Sequence, residues 1–495
     1  MRSRPIIRSI PAAILMAGIV SAAAASALPA DAWTQYQGGP QHAGVVSVSP
    51  APPLRSRWQA ATGIGDETHI AGLPAPVIAG GDAIIVDRED VTAIDVATGT
   101  MSWTVPRQLG PSAPAAVAVA VGDGGHTMVL YTEGGGDRSS SATVTSTPAP
   151  TPSGSSAPGT AVVRSTLVAI DAASRQELWR RQLTDVSTTG PTVDGGLVVV
   201  GADDGTVTAI ELASGKVRWH KDLGDVVDTP IAADAAVVYA SVHSNTRQRP
   251  SVVALREDAG VEVWRYTPNT SSLVAGAPSV VSGTVYVTLS DGTVRAVAAD
   301  TGLERWISKL NAVAVGGAPA VSGDAVVVVD TRGEVYRLDP ATGARRWDFA
   351  LNTPVYGPAV LIGSAVLVAE GSGELSALDS ATGDRIWRQS LGVGPLLTVA
   401  VAPDAVVVAR TGAAAGLVGL AADPTGALID ERSPTIVMPG PLALDWATAA
   451  IPLVVILILA GRFLILRLGP PEFERDDLPL DGTGDEGWAD DGGSS

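Results

Sequence analysis

The sequence predicts an all-β protein, an eight-bladed β-propeller of four-stranded blades, followed by one C-terminal transmembrane helix. Tryptophan recurs at intervals of 40 to 45 residues, apart from one interval of 76, and a short common motif precedes most of these tryptophans. A fixed period of this size indicates one supersecondary unit per repeat. The repeated tryptophans are Trp58, Trp103, Trp179, Trp219, Trp264, Trp306, Trp347 and Trp387.

The common motif predicts a hairpin turn. Before Trp103 it is Ala93-Ile-Asp95-Val-Ala-Thr98-Gly99. The Asp side chain can accept hydrogen bonds from backbone amides just beyond it, and Gly supplies the positive φ that closes the turn. The strand after the turn then carries the tryptophan. From Trp103 onward, six of the seven repeated tryptophans have a glycine four residues before them, and only Trp179 has Arg175 instead. The glycines are Gly99, Gly215, Gly260, Gly302, Gly343 and Gly383.

Two further signals complete each repeat. Asp-Gly pairs such as Asp291-Gly292 lie between two β-branched runs, which is typical of a tight turn. A proline, such as Pro319, precedes a short strand and a Val-rich run. Each repeat therefore contains four strands, which is one propeller blade.

The count of blades depends on the ends of the repeat region. An eighth unit, from Pro395 to Gly426, has no tryptophan, while Trp58 lies on a strand that no blade precedes. We expect this N-terminal strand to complete the last blade, because a ring leaves no exposed sheet edge. The alternative is seven blades with an irregular terminal hairpin.

The two ends of the chain predict export and anchoring. Arg2, Arg4 and Arg8 precede an apolar run, so residues 1–27 are predicted to be a secretory signal peptide, with an uncleaved anchor as the alternative. A transmembrane helix is predicted at 442–468, with a core strand or buried helix as the alternative. Arg462 and Arg467 place the following tail on the cytoplasmic side.

Three segments complete the predicted organisation. The β-propeller occupies 28–440 and contains a Ser/Thr/Pro/Gly-rich low-complexity insertion at 134–160, which accounts for the long tryptophan interval and is either a glycosylated loop or an unmodified spacer. The tail at 469–495 has nine acidic residues and one Arg, and we expect it to be disordered. The propeller is therefore expected outside the cytoplasm, on a single-pass protein of the cell membrane.

The motif Ala-x-Asp-x-x-Thr-Gly-x-x-x-Trp resembles the repeat of the quinoprotein-like β-propellers, a family that includes pyrroloquinoline-quinone dehydrogenases and non-enzymatic relatives. The segment from Trp33 to Gly44 is similar to the opening of such domains, and the resemblance covers about 33–430. It implies the fold. It does not imply an activity, because the outer-membrane-assembly scaffold lipoprotein has this fold without catalysis.

The residues favour the non-enzymatic relatives. Those dehydrogenases are similar in having adjacent cysteines at the cofactor, and this chain has no cysteine. The quinone carries three carboxylates, yet the six residues before each blade-opening proline include no Lys or Arg. We therefore predict no catalytic residue, cofactor or metal ligand. The five histidines lack metal-binding spacing, although distant residues can still converge on a propeller axis.

These observations predict a membrane-anchored, extracytoplasmic, non-catalytic scaffold that binds an envelope protein or polymer. The alternative is a quinone-dependent oxidoreductase or another enzyme with an unrecognised site. Nucleic acid is not expected as a partner, because the exported part of the chain also has a negative net charge and would repel phosphates.

A candidate binding mouth is predicted where the chain approaches the innermost strands, and its acidic side chains favour a basic segment or a cation, with His69 as the only possible cation of its own. The alternative is that its Asp and Asn residues cap turns. The candidate residues are Asp66, Glu67, His69, Asp185, Asp225, Asp228, Asn269, Asn311, Asn352 and Tyr356.

Overall fold

The structure is a computed structural model that describes residues 33–429 except 48–49, 64–74, 110–115, 123, 135–163, 188, 244–248, 271, 275 and 315–316. Within these ranges the chain forms one short 3-10 helix (Tyr36–Gly38) and 33 β-strands. The strands of the N-terminal segment and of the first four blades are β1 (Val45–Val46), β2 (Leu54–Ala61), β3 (Val77–Ala79), β4 (Asp82–Val86), β5 (Asp90–Asp95), β6 (Met101–Pro106), β7 (Ala118–Val121), β8 (Thr127–Glu133), β9 (Thr166–Asp171), β10 (Glu177–Gln182), β11 (Thr192–Asp194), β12 (Leu197–Gly201), β13 (Thr206–Glu211), β14 (Val217–Asp222), β15 (Ala232–Asp234), β16 (Val237–Val242), β17 (Ser251–Arg256) and β18 (Glu262–Tyr266).

The strands of the last four blades continue the same pattern. They are β19 (Ser279–Val281), β20 (Thr284–Thr288), β21 (Thr293–Ala298), β22 (Glu304–Lys309), β23 (Ala320–Val321), β24 (Val326–Val329), β25 (Glu334–Leu338), β26 (Arg345–Ala350), β27 (Val360–Ile362), β28 (Ala365–Ala369), β29 (Glu374–Asp379), β30 (Arg385–Ser390), β31 (Leu396–Val401), β32 (Val406–Arg410) and β33 (Gly416–Ala422).

The described strands form eight sheets, which confirms the eight-bladed propeller and excludes seven blades. Blades 1 to 7 begin at β3, β7, β11, β15, β19, β23 and β27, and each runs from its innermost to its outermost strand in chain order. Blade 8 consists of β31, β32, β33 and β2. The innermost strands of neighbouring blades lie side by side, and β31 lies beside β3, which closes the ring.

Ring closure uses the N-terminal strand, as the sequence predicts. Strand β2 pairs antiparallel with β33, from Leu54 opposite Ala422 to Ala61 opposite Gly416. The outermost strand of blade 8 thus comes from the start of the chain. This confirms the prediction and places Trp58 where the eighth repeat lacks its own tryptophan.

Each of six tryptophans joins its blade to the turn of the next blade. The Trp58 Nε1–H donates to the backbone oxygen of Val96 at 2.7 Å, and a Cβ on Gly99 would lie 2.4 Å from the Trp58 ring. The turn glycine is therefore required both for its φ of 74° and for its missing side chain. Arg175 adopts a φ of 60° at the equivalent turn of blade 2. The same contact joins Trp179 to Gly215, Trp219 to Gly260, Trp264 to Gly302, Trp306 to Gly343 and Trp347 to Gly383.

The Asp of the repeated motif caps this turn, which confirms the predicted role. Asp95 Oδ1 accepts hydrogen bonds from the amide and the hydroxyl of Thr98, both at 2.7 Å. Asp339 makes the same two contacts with Thr342, at 3.0 Å. Short polar side chains stabilise turns in this way because they replace missing backbone partners.

The core lies between the blades. Apolar side chains on facing sheets pack together, as Val86 of blade 1 does in one cluster with Val119 and Tyr131 of blade 2. Such a core holds each blade to its two neighbours.

Several predicted segments lie outside the described residues. These are the signal peptide at 1–27, the transmembrane helix at 442–468, the acidic tail at 469–495 and nearly all of the insertion at 134–160. Among the residues that the structure does describe, no helix has the length and apolar character needed to cross a bilayer. The insertion begins after β8 and ends before β9, between the second and third strands of blade 2.

Candidate functional site

The mouth of the propeller is the end of the ring at which the chain approaches the innermost strands. Asp66, Glu67 and His69 lie outside the described residues, so their contribution stays a prediction. The other candidates are described, and their contacts connect them in small groups within a blade or between neighbouring blades. They are Asp185, Asp225, Asp228, Asn269, Asn311, Asn352 and Tyr356.

One group is centred on His243, which follows β16 in blade 4. Its Nδ1 lies 2.5 Å from Asp228 Oδ1, and its Nε2 contacts the backbone oxygen of Val274. Burial by itself lowers the pKa of His243, but these two acceptors and the nearby Asp225 raise the pKa above its ordinary value. His243 therefore contacts both the segment that leads into blade 4 and the segment that leads into blade 5.

His69 lies outside the described residues, so the prediction that it is the only possible cation of the entry segments is not tested; outside those segments, His243 pairs with Asp228. His243 lies in the turn between the second and third strands, not in a segment that approaches an innermost strand. Antiparallel blades bring both kinds of segment to the same end of the ring.

Other candidate residues stabilise local turns. Asp185 Oδ1 accepts from the amide of Val186 at 2.8 Å, and Asp225 Oδ1 accepts from the amide of Val226 at 3.0 Å. Asn352 adopts a φ of 60°, a conformation that asparagine tolerates better than most residues. These contacts are the ones expected under the turn-capping alternative.

The remaining candidates differ in exposure. Asn269 is exposed. Asn311 is exposed as well and donates through Nδ2 to Glu334 Oε2 at 2.8 Å. Tyr356 is half-buried and packs against the apolar cluster of blades 7 and 8. Among the described candidates, Asp225 and Asp228 thus share an electrostatic interaction with one charged partner, His243.

A second set of charged residues was not predicted from the sequence. In the described part of the chain, five blades bury an ionisable side chain at or just after the end of the second strand. In blade 6, the Asp330 carboxylate accepts from the amides of Arg332 and Glu334 and from the hydroxyl of Tyr336, at 2.9 to 3.0 Å. In the sequence, the recurrence of a charged residue directly after a Val-rich run could have indicated this set. The five residues are Asp87, Glu133, Asp330, Glu370 and Arg410.

Two buried arginines at this end of the ring are engaged by the protein itself. Arg107 donates to the backbone oxygens of Asp87 and Thr132, at 2.6 and 2.8 Å. Arg410 donates from Nε to the backbone oxygen of Ala414 at 2.8 Å. Both guanidinium groups therefore satisfy carbonyl groups of neighbouring turns.

The axis of the propeller is occupied by residues 33–46, which we call the axial segment. It follows the innermost strands around the ring, and seven of the eight blades each donate at least one backbone amide hydrogen bond to it, at 2.7 to 2.9 Å. Its last part, β1, pairs in parallel with β27. The donors are the amides of Ile78, Val119, Val193, Ala233, Val280, Val321 and Leu361, and the acceptors are the backbone oxygens of Trp33, Thr34, Pro40, Gln41, Ala43 and Gly44 and the side-chain oxygen of Gln35.

His42 is the buried titratable centre of the axial segment. Its Nδ1 lies 3.1 Å from the backbone oxygen of Pro278, and its ring packs edge-on against Tyr36. Burial lowers the pKa of His42 to about 4 and raises the pKa of Tyr36 to about 12. Both side chains are therefore neutral near pH 7. The resemblance identified the segment from Trp33 to Gly44 in the sequence, but it did not predict that this segment lies along the propeller axis.

Metal binding is not indicated by the described side chains. Within those ranges, no three His, Asp or Glu residues are grouped as a metal ion requires.

Comparison with known proteins places the chain among propellers of two kinds. A family model described as "Outer membrane protein assembly factor BamB" matches residues 163–312 and 290–435, which together exceed half of the chain. No curated protein sequence matches the chain significantly.

Solved structures show the same fold at low identity. BamB from Moraxella catarrhalis is 18% identical, with a TM-score of 0.54, over 76% of this chain and 99% of that chain. The quinohemoprotein alcohol dehydrogenase ADHIIG from Pseudomonas putida HK5 is 14% identical, with a TM-score of 0.59, over 81% and 82% of the two chains. A computationally designed protein, Ika8, is 15% identical, with a TM-score of 0.54, over 73% and 100%. At these identities the likeness shows the fold alone.

Proposed function

Because the chain belongs to the family of the outer membrane protein assembly factor BamB, we propose that it is a non-catalytic binding scaffold of the cell envelope. On this proposal the propeller is extracytoplasmic and the predicted helix at 442–468 anchors it to the membrane. The fold by itself does not assign an activity, since a scaffold and an alcohol dehydrogenase both have it.

The observation that carries the proposal is the axial segment. Seven innermost strands direct an amide towards the axis, and the chain's own residues accept all seven hydrogen bonds. The axis at this level is therefore filled by protein. This leaves the two ends and the outer surfaces of the ring for partners, which is consistent with a scaffold.

The described mouth residues do not fit pyrroloquinoline quinone, the cofactor that the dehydrogenase relatives imply. A tricarboxylate requires cationic partners. Here His243 is paired with Asp228, while Arg107 and Arg410 bind backbone oxygens. This arrangement supports the scaffold over the oxidoreductase alternative.

A crosslinking experiment tests the proposal. Full-length protein is crosslinked in intact cells, purified, and its partners are identified by mass spectrometry. We expect crosslinks to specific envelope proteins or polymers. If a Trp306→Ala variant fails to fold, these crosslinks should be absent from it. Calorimetry with the quinone and an alcohol-oxidation assay are run on the same preparation, and quinone binding with turnover contradicts the proposal.

Topology is tested separately with protease added to intact cells. We expect degradation of the propeller, or cleavage in the insertion at 134–160, while an epitope on the tail at 469–495 survives. A protected propeller would contradict the extracytoplasmic placement.

A further inference from the structure

Arg337 breaks the internal pattern of the blades. In six blades the residue paired with the repeated tryptophan, on the neighbouring strand, is a fully buried alanine. In blade 8 the residue is Gly419, and only in blade 6 is it a charged residue, Arg337 opposite Trp347. The six alanines are Ala93, Ala169, Ala209, Ala254, Ala296 and Ala377.

The fold does not require an arginine at this position, since the other seven blades have an alanine or a glycine there. An arginine whose side chain is only 14% exposed carries a desolvation cost that an alanine does not. A residue that departs from a repeat at such a cost points to a function for its side chain.

Arg337 lies in a groove of about 640 Å³ between blades 5 and 6, which we call the interblade groove. Two further arginines line it, Arg305 from β22 and Arg346 from β26. The hydroxyl groups of Ser282, Thr284 and Tyr286 lie in the same groove. Three strands of two blades thus direct guanidinium groups to one place.

The groove keeps an excess of positive charge. Its described lining has three arginines and two carboxylates, Asp324 and Asp339. The hydrogen bond from Arg346, followed by those from Thr342, lowers the pKa of Asp339 to about 2, so it stays ionised at neutral pH. On a chain of net charge −18, this groove is a local cationic site.

Each arginine has bonding capacity left. Arg337 binds Asp324 through Nη2, at 2.9 Å to the carboxylate and 3.1 Å to the backbone oxygen, while its buried Nε has no partner among the described residues. Arg346 binds Asp339 through Nη2. Arg305 donates from Nη1 to the hydroxyl of Thr284 at 2.6 Å. The side chain of Asp324 is 78% exposed, so a competing carboxylate can displace it at little cost.

We propose that the interblade groove binds an acidic peptide segment of a partner protein. The planar guanidinium fork matches a carboxylate, and the volume suits a few residues of extended peptide. Carboxylates of the segment bind Arg305 and Arg346, and one of them displaces Asp324 from Arg337. The inference rests on the proposed scaffold function and names one of its partner surfaces.

The test uses full-length protein in detergent micelles and a fluorescein-labelled hexaglutamate peptide, with fluorescence anisotropy as the measurement. We expect saturable binding that weakens at least tenfold in the Arg305→Gln/Arg346→Gln double variant. Arg337→Ala installs the residue of six other blades, so it is expected to keep the melting temperature while weakening binding. Arg218→Gln is the matched control, because Arg218 precedes Trp219 as Arg346 precedes Trp347, and it lies outside the groove.

Specific outcomes overturn the inference. Equal weakening by Arg218→Gln means non-specific attraction, and unchanged binding in the double variant places the peptide elsewhere. Competition by inorganic phosphate at the same concentration as unlabelled hexaglutamate assigns the groove to phosphate instead. If the groove variants crosslink the same cellular partners as the wild type, the groove assignment fails while the scaffold function stands. If the wild type crosslinks no partner, the scaffold function fails independently of the peptide result.

Discussion

The side-chain amide of Gln35 pairs with the backbone of Val193 as a second strand would. Gln35 Nε2 donates to the oxygen of Val193 at 2.8 Å, and Gln35 Oε1 accepts from the amide of Val193 at 2.7 Å. The two residues are 158 positions apart and both are buried. In blade 3, this side chain joins the axial segment to the innermost strand, whereas in the six other bonded blades a backbone oxygen of the segment accepts the hydrogen bond.

Gln35→Ala is expected to destabilise the propeller by about 2 to 4 kcal/mol. The substitution leaves a buried donor and a buried acceptor of Val193 without partners. Urea unfolding of the full-length protein, followed by tryptophan fluorescence, measures the loss. Gln41→Ala is the control, since its half-buried side chain makes one long contact of 3.5 Å with Asp234. Equal stability of the two variants would contradict a structural role for Gln35.

Alanine substitutions at two glycines distinguish the cost of backbone strain from the cost of crowding a tryptophan. Gly343 and Gly283 have φ values of 69° and 70°, but a Cβ on Gly343 would lie 2.5 Å from Trp306, while a Cβ on Gly283 meets nothing within 4 Å. Gly283→Ala is expected to cost about 1 to 2 kcal/mol from strain alone. Gly343→Ala is expected to cost roughly 1 to 3 kcal/mol more, from overpacking. Thermal unfolding compares them, and equal melting temperatures would refute the packing argument.

Trp306→Ala is expected to cost roughly 3 to 5 kcal/mol, because the indole is 8% exposed and donates to the oxygen of Pro340 at 2.8 Å. Trp488→Ala is the control, in the tail predicted to be disordered. Its expected effect on the free energy of unfolding is nil. Chemical unfolding curves of both variants check the difference.

His42 is expected to make the propeller less stable as the pH falls from 6.5 to about 4. Its pKa in the folded protein is about 4, below the ordinary 6.5, so the unfolded chain takes up the proton first. The full effect is roughly 3 kcal/mol. Unfolding free energies measured between pH 4 and 7.5 show the slope, and His42→Asn should reduce it. Asparagine tolerates the φ of 54° at this position. An unchanged slope in the variant would assign the pH dependence to other groups.

His243 is expected to act in the opposite direction. Its pKa is raised, so its stabilising contribution is present below its unfolded pKa and is lost as the pH rises through the folded value. Asp228→Asn should lower the pKa of His243, because it removes the negative charge of the carboxylate that faces Nδ1. An NMR titration of the histidine ring carbons measures the shift, and Asp185→Asn serves as the control.

The repeat determined the architecture without any structure. Each blade forms the same local structure, a capped turn followed by a packed tryptophan. The residues that form it therefore occur at fixed spacing, as in Asp95, Thr98, Gly99 and Trp103. These interactions depend on a few neighbouring residues, so their pattern is visible in the chain. The missing eighth tryptophan likewise predicted the role of Trp58, which the pairing of β2 with β33 confirms.

Tertiary structure alone decided the axial segment, the pairing of His243 with Asp228, and the interblade groove. Gln35 and Val193 meet only because closure of the ring brings seven innermost strands around residues 33–46. Arg337 was visible as a departure from alanine, but its neighbours Arg305 and Arg346 come from separate strands of two blades. Local motifs repeat because their energetics are local, whereas sites built between blades depend on contacts that no spacing in the sequence encodes.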